Sequence, residues 1–173
     1  MKHKIKPIKQ QTEFGCLATC CAMIKNYLFG VVFSQEKEIE KTSKAFNSET
    51  KFNEHFHIKE LFELGCDIKI FIETPYMKEG YGILNSRLGC KIPINLQLIG
   101  ANDYETLLRE EYVLITLVDL WSIDMIIHTV HYIIVNGFDE NNFYIIDPKY
   151  KMEIKVAKER FIGNIILLKK LLG

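Results

Sequence analysis

Gln10-Gln11-Thr12-Glu13-Phe14-Gly15-Cys16-Leu17-Ala18-Thr19-Cys20-Cys21-Ala22-Met23-Ile24 is the stretch on which the fold turns. Thr12 to Gly15 reads as turn material, and from Cys16 onward small and apolar residues follow one another in a pattern that an α-helix can bury. That sets Cys16 on a helix's first turn. A thiol there meets unpaired backbone N–H groups and the positive end of the helix dipole, both of which favour thiolate. Cys16 is therefore a candidate nucleophile. The plainer alternative is that Cys16, Cys20 and Cys21 are all small buried hydrophobes, as most free cysteines are. The rest of the chain decides, by supplying or not supplying a base, a group to orient it and donors for an oxyanion.

Working outward, Ile5 to Lys9 reads as a short extended arm leading into the turn, with Pro7 suited to an edge. The first helix runs from about Cys16 to Leu28 and stops at Gly30. Its Leu17, Cys20, Cys21, Ile24 and Leu28 recur at three and four and predict a central, largely buried helix. Ser34 caps a polar helix to about Phe46, Asn47 to His55 reads as loop, and Ile58 to Leu64 forms a short amphipathic helix closed by Gly65. Asp67 to Glu73 reads as a strand ended by Thr74-Pro75. Tyr76 to Ala101 fits helix, strand and substrate-contacting loop alike. Asn102-Asp103 caps a helix through roughly Arg109.

The second half changes character. Val113 to Leu120 and His131 to Val135 are runs of Val, Ile and Leu that predict strands in the middle of a sheet. Trp121 to Thr129 between them reads as an irregular loop carrying His128. Asn136-Gly137 and Asp139-Glu140-Asn141-Asn142 are turn chemistry, so His131 to Val135 and Phe143 to Asp147 pair as an antiparallel hairpin. Met152 to Val156 is a further strand, Ala157 to Phe161 a helical turn ending at Gly163, and Ile165 to Leu168 a closing strand. Helices first and antiparallel strands second make an α+β pattern.

Composition narrows the classes. A chain of 173 residues, 48% of them hydrophobic, builds one domain with a real core. Basic and acidic residues balance at 22 each, which gives no field for nucleic acid or anionic lipid. The lysines of residues 1–9 and Lys169-Lys170 read as solvated ends, and the aromatics do not interleave with basic residues as nucleic-acid platforms do. Five cysteines, three of them within six residues, match neither a disulfide framework nor zinc-ligand spacing. Reduced thiols and a cytoplasmic setting are the expectation, with no metal and no cofactor. No signal peptide is visible, and Asp119, Asp124, His128 and His131 interrupt the longest apolar runs, so no membrane span is expected.

Cysteine chemistry on an acyl group needs a thiolate, an imidazole, a group that holds the imidazole and oxyanion donors. Cys16 opens a helix and His131 opens a buried strand. Asp147 closes the neighbouring strand, and Gln10 and Gln11 precede the cysteine. His131 and Asp147 stand sixteen residues apart across the hairpin. A register centred on Asp139 sets them opposite each other, whereas a register centred one or two residues later carries Asp147 beyond easy reach. His128 is a rival base and Asp139 a rival carboxylate. A satisfied strand histidine and an Asp-Pro turn are the plain alternatives for His131 and Asp147. His55 and His57, in and beside a polar loop, are expected to cap or to face solvent.

Gln11 to Ile24, taken with His131-Tyr132-Ile133-Ile134-Val135-Asn136-Gly137-Phe138-Asp139 and Tyr144-Ile145-Ile146-Asp147-Pro148, resembles the bacteriocin-processing C39 peptidases and their wider papain-like group. The resemblance covers the first 30 residues and about 40 near the end. It implies a single domain over residues 1–173 with a papain-like fold, an N-terminal helical lobe with its central helix, and a C-terminal antiparallel sheet. It also implies Cys16 as nucleophile, His131 as base and acid, Asp147 as the orienting residue, and a preceding glutamine in the oxyanion hole. The family spacing selects Gln10, and the Gln-Thr-Glu run selects Gln11. Gly15 before Cys16 and Leu17 after it depart from the family pattern. The implied activity is a cysteine peptidase acting on a peptide or precursor amide, with a papain-like acyltransferase or a non-catalytic peptide-binding module as alternatives. The implied partners are a peptide or acyl substrate and a transporter or biosynthetic system.

Overall fold

In the computed structural model of the chain, the described residues are 2–13, 15–46, 54–72, 78–79, 82–83, 85–86, 92–97, 99–119, 130–160 and 164–170. The expected loop at 121–129, with His128, and the strand end at Thr74-Pro75 lie outside them. Within the described residues the chain orders as α1 (Cys16–Phe29), α2 (Gln35–Phe46), α3 (Glu54–Glu63), β1 (Cys66–Ile72), β2 (Ile94–Leu96), α4 (Ala101–Arg109), β3 (Val113–Asp119), β4 (Val130–Phe138), β5 (Asn142–Asp147), β6 (Met152–Ala157), a short 3-10 turn (Lys158–Arg160) and β7 (Asn164–Lys170).

The strands form one sheet in the order β2-β1-β7-β3-β4-β5-β6. Every neighbouring pair is antiparallel except β1 with β2, which is parallel. The expectation of an α+β fold holds, and the expectation that the sheet belongs to the segment from Val113 onward is corrected: β1 and β2, which precede that segment, extend the sheet beyond β7. The closing strand β7 lies between β1 and β3, hydrogen-bonded to both. No local pattern announces such an insertion, because which strands become neighbours is decided by long-range pairing. Two boundaries also shift. Helix α3 starts at Glu54, inside the expected loop, and α4 starts at Ala101, with the Gly100 N–H donating to Asp103 Oδ2 at 3.0 Å. Asp103 thus serves the cap from the third helical position instead of standing at it.

The sheet is covered on both faces, which is why its middle strands read as unbroken apolar runs. On one face Leu17, Cys20, Cys21, Met23 and Ile24 of α1 pack with Ile58 and Leu61 of α3 against Ile68, Ile70, Val113, Ile115, Ile134 and Ile146. On the other, Tyr104 and Leu108 of α4 meet Leu114, Val118, Ile133, Val135, Phe143 and Ile145. Consecutive residues of β3, of β4 up to Val135 and of β5 alternate between the two cores. Helix α1 is buried from Leu17 through Lys25, as its apolar spacing predicts, and ends at Gly30, which takes the left-handed conformation at φ 68°.

Candidate active site

The turn before α1 decides where Cys16 stands. Gly15 N–H donates to Thr12 O at 3.1 Å, and a Cβ on Gly15 would lie 2.8 Å from Thr12 Oγ1 and 3.2 Å from Thr12 O. A side chain at that position would push the turn open. Gly15 is also the N-cap of α1, and no side chain caps the helix there. The first-turn N–H groups and the dipole therefore act on Cys16, which is half-buried.

His131, near the start of β4, acts on the Cys16 thiol and is hydrogen-bonded through Nε2 to Asp147 Oδ1 at 2.9 Å. With Nε2 committed to the carboxylate, Nδ1 is the nitrogen left for sulfur. Asp147 is buried, and the same Oδ1 accepts the Lys149 N–H at 2.7 Å. The plain and the chemical readings of Asp147 both apply: it shapes the turn after β5 and it holds the imidazole.

The reach between His131 and Asp147 corrects the register expectation. The hairpin runs one residue later than the centred alignment, pairing Ile134 with Ile146 and Val135 with Ile145, then shifting at a bulge to pair Gly137 with Tyr144. One further step sets Asp147 across from Ile133, two residues from His131 on the same side of the strand. A diagonal pair of that kind lies within reach of a long side chain, so the later register keeps the contact. Asp139, the rival carboxylate, is committed to the hairpin turn. Its Oδ1 accepts the N–H groups of Asn141 and Asn142 at 3.0 and 2.8 Å, and its Oδ2 accepts the Tyr144 hydroxyl at 2.8 Å.

Electrostatics divides the cysteines of α1. Burial opposes the Cys16 thiolate. The His131 hydrogen bond, backbone donors at Tyr132 and Leu17, and the imidazolium charge outweigh it, and the thiol falls below the ordinary cysteine range. Burial likewise opposes a charged His131, and the hydrogen bonds and charges of Asp147 and Cys16 outweigh it, raising the imidazole to about 9. Both shifts favour a thiolate–imidazolium pair. One turn on, Cys20 is fully buried and is pushed far up, first by that burial and then by Cys16, Cys21 and Asp147. It remains a thiol directed at Tyr132 O, 3.5 Å away. Cys20 and Cys21 are core, as expected.

The two glutamines have different surroundings. Gln10 donates its amide to Thr12 O at 3.1 Å and Glu13 O at 3.2 Å, bracing the turn, and its Oε1 is buried without a partner among the described residues. Gln11 is exposed and donates to Glu36 Oε1 on α2 at 2.8 Å. Gln10 thus belongs to the turn that presents Cys16, and Gln11 points away to the helix surface.

Three features escaped the sequence. Gln35, on the first turn of α2, is buried and touches both α1 and the arm. His57, expected to cap or to face solvent, is buried, with Nδ1 3.0 Å from Glu38 Oε2. Lys25, fully buried within the apolar helix, pairs with Glu38 at 2.8 Å and with Glu60. The only signal for this network was a lysine inside an apolar helix beside a helix rich in glutamate. Among the described residues, no group of three His, Cys, Asp or Glu side chains is placed to hold a metal ion, and no helix is long and apolar enough to cross a membrane. No protein-family model and no curated protein matches the chain.

Proposed function

We propose that this chain is a papain-like cysteine peptidase, or a related thiol acyl-transfer enzyme, acting on a peptide or precursor amide. The observation that carries the proposal is the chain of contacts from Cys16 through His131 to Asp147, which joins a helix start to two neighbouring strands. The resemblance to the C39 peptidases supports the same roles. Cys16 Sγ attacks the carbonyl carbon, and the carbonyl oxygen takes the electron pair of its π bond. The N–H of Cys16 faces that oxyanion, joined by the Gln10 amide once one of its donors leaves a turn carbonyl. His131 Nδ1–H protonates the leaving nitrogen as the C–N bond breaks. A water, or an acceptor amine, then gives its proton to His131 while attacking the thioester, and the thiolate returns. Asp147 holds the ring in one orientation and supports its charge throughout. A hydrogen-bonded base beside a lowered thiol favours catalysis over a cleft that only holds peptide.

An amide-mimicking electrophile tests the proposal. It should label Cys16 among the five cysteines, lose that labelling in Cys16→Ala, and react about 10²- to 10⁴-fold more slowly in His131→Ala. Equal labelling of every cysteine would sink the assignment.

A further inference from the structure

The Lys9–Gln10 peptide group is held at both of its ends. Its carbonyl, Lys9 O, accepts from Gln35 Nε2 at 3.0 Å, and its N–H, on Gln10, donates to Pro148 O at 2.8 Å. Pro148 directly follows Asp147, so one peptide plane ties α2 to the strand end that carries the carboxylate. The second hydrogen of the Gln35 amide goes to Thr19 Oγ1 at 2.8 Å, and Thr19 Oγ1 donates in turn to Gly15 O at 2.7 Å. Gln35 therefore grips both ends of the turn from Gln10 to Gly15, the arm side through Lys9 and the helix side through Thr19. Gln10 braces the same turn from inside through Thr12 O and Glu13 O. Gln35 Oε1 is buried with no partner among the described residues. An amide that leaves its own oxygen unbonded in the interior is a costly choice for packing alone, and an apolar side chain of the same length would avoid that cost.

We infer that Gln35 is a positioning residue of the proposed active site, fixing the Gln10–Gly15 turn so that the oxyanion donors stand in register with Cys16 and with the Asp147 strand end. The inference rests on the reading of Cys16 as an acyl-accepting nucleophile. Gln35 acts on the donors through the turn and touches neither Cys16 nor His131 in the contacts described above, so its loss separates two kinds of thiol chemistry. Alkylation by iodoacetamide needs the thiolate and creates no oxyanion. Acetylation by p-nitrophenyl acetate forms a C–S bond at the carbonyl, builds an oxyanion and expels p-nitrophenolate with the electron pair of the broken C–O bond.

The experiment compares both reactions in the full chain for wild type, Gln35→Met, Gln10→Ala and the double variant, with thermal melts reporting folding. Gln35→Met is expected to acetylate about 10- to 100-fold more slowly, while the pH midpoint of Cys16 alkylation stays in place. The double variant should lose no more than the larger single loss, because both residues act on one turn. If Gln35→Met does not fold, Gln35→Glu serves instead, keeping the length but losing both amide donors, the one to Lys9 O and the one to Thr19 Oγ1. Wild-type acetylation rates in the folded variant, or losses that multiply in the double variant, overturn the inference alone. A wild-type Cys16 that reacts with neither reagent faster than a cysteine in the unfolded chain overturns the proposed function and this inference with it.

Discussion

Asp147 matters to the proposed chemistry through charge as well as position. Asn at 147 keeps an oxygen for His131 Nε2–H but removes the anion that raises the imidazole to about 9. Asp147→Asn is therefore expected to bring the His131 midpoint down toward the ordinary 6.5, read from the imidazole resonances in an NMR titration, and to slow Cys16 labelling near neutral pH about tenfold. A midpoint that stays near 9 would remove Asp147 from this role. Contrast between Cys16 and Cys20 makes the same point within one helix. The two thiols are a single turn apart, yet one is lowered by an imidazole and backbone donors and the other is raised by burial. Cysteine chemistry here depends on what faces the sulfur, not on the residue type.

At the scale of elements, α1, α2 and α3 are joined by a buried ionic network as well as by apolar packing. Lys25 of α1 bonds Glu38 of α2 and Glu60 of α3, Lys41 bonds the same two carboxylates, and His57 of α3 bonds Glu38. Buried charges are expensive to strand. Lys25→Met should cost about 1.5–3 kcal/mol of unfolding free energy, because Glu38 loses one charged hydrogen-bond donor in the interior while Lys41 and His57 stay with it. Lys25→Met combined with Glu38→Gln should lose less than the two single variants added together, measured by urea denaturation. Additive losses would mean that the pair is not coupled. Anchoring α1 from behind in this way leaves its N-terminal turn, with Cys16, free of side-chain caps.

For the whole molecule, the network sets an acid limit. Burial lowers His57 below 6.5, so beneath that pH the unfolded chain takes up a proton that the folded chain refuses. Stability must fall as the pH drops through 6.5. Glu38 follows. Burial raises its carboxyl, but the hydrogen bonds of His57, Lys25 and Lys41 outweigh that and hold it at about 2. Its contribution is present above the unfolded value of 4.5 and disappears as the pH falls through about 2. Melting temperature should decline in two stages on acidification; His3, which burial also lowers below 6.5, shares the first, and His57→Gln, which keeps a donor for Glu38 and does not titrate, should shrink that stage to the His3 part. A first stage of undiminished size in that variant would move its origin elsewhere. Above 6.5 the raised His131 and the lowered Cys16 oppose each other in proton uptake, so the alkaline side should be flatter until the imidazole deprotonates near 9.

What the amino-acid sequence determined by itself was local. The buried helix beginning at Cys16, the hairpin from His131 to Asp147 and the doubly covered middle strands were all legible, because apolar spacing, turn residues and glycine positions act between neighbours in the chain. Only the tertiary structure decided the rest. It slid the hairpin by one residue and still closed the His131–Asp147 contact diagonally, since side-chain length compensates for register. It inserted β7 between β1 and β3, a choice made by long-range pairing that leaves no local mark. It also brought Gln35 to Lys9 and Thr19, and Lys25 to Glu38, Glu60 and His57. Polar residues of these kinds are ordinarily solvated, and their burial becomes affordable only when partners from other elements arrive to satisfy them.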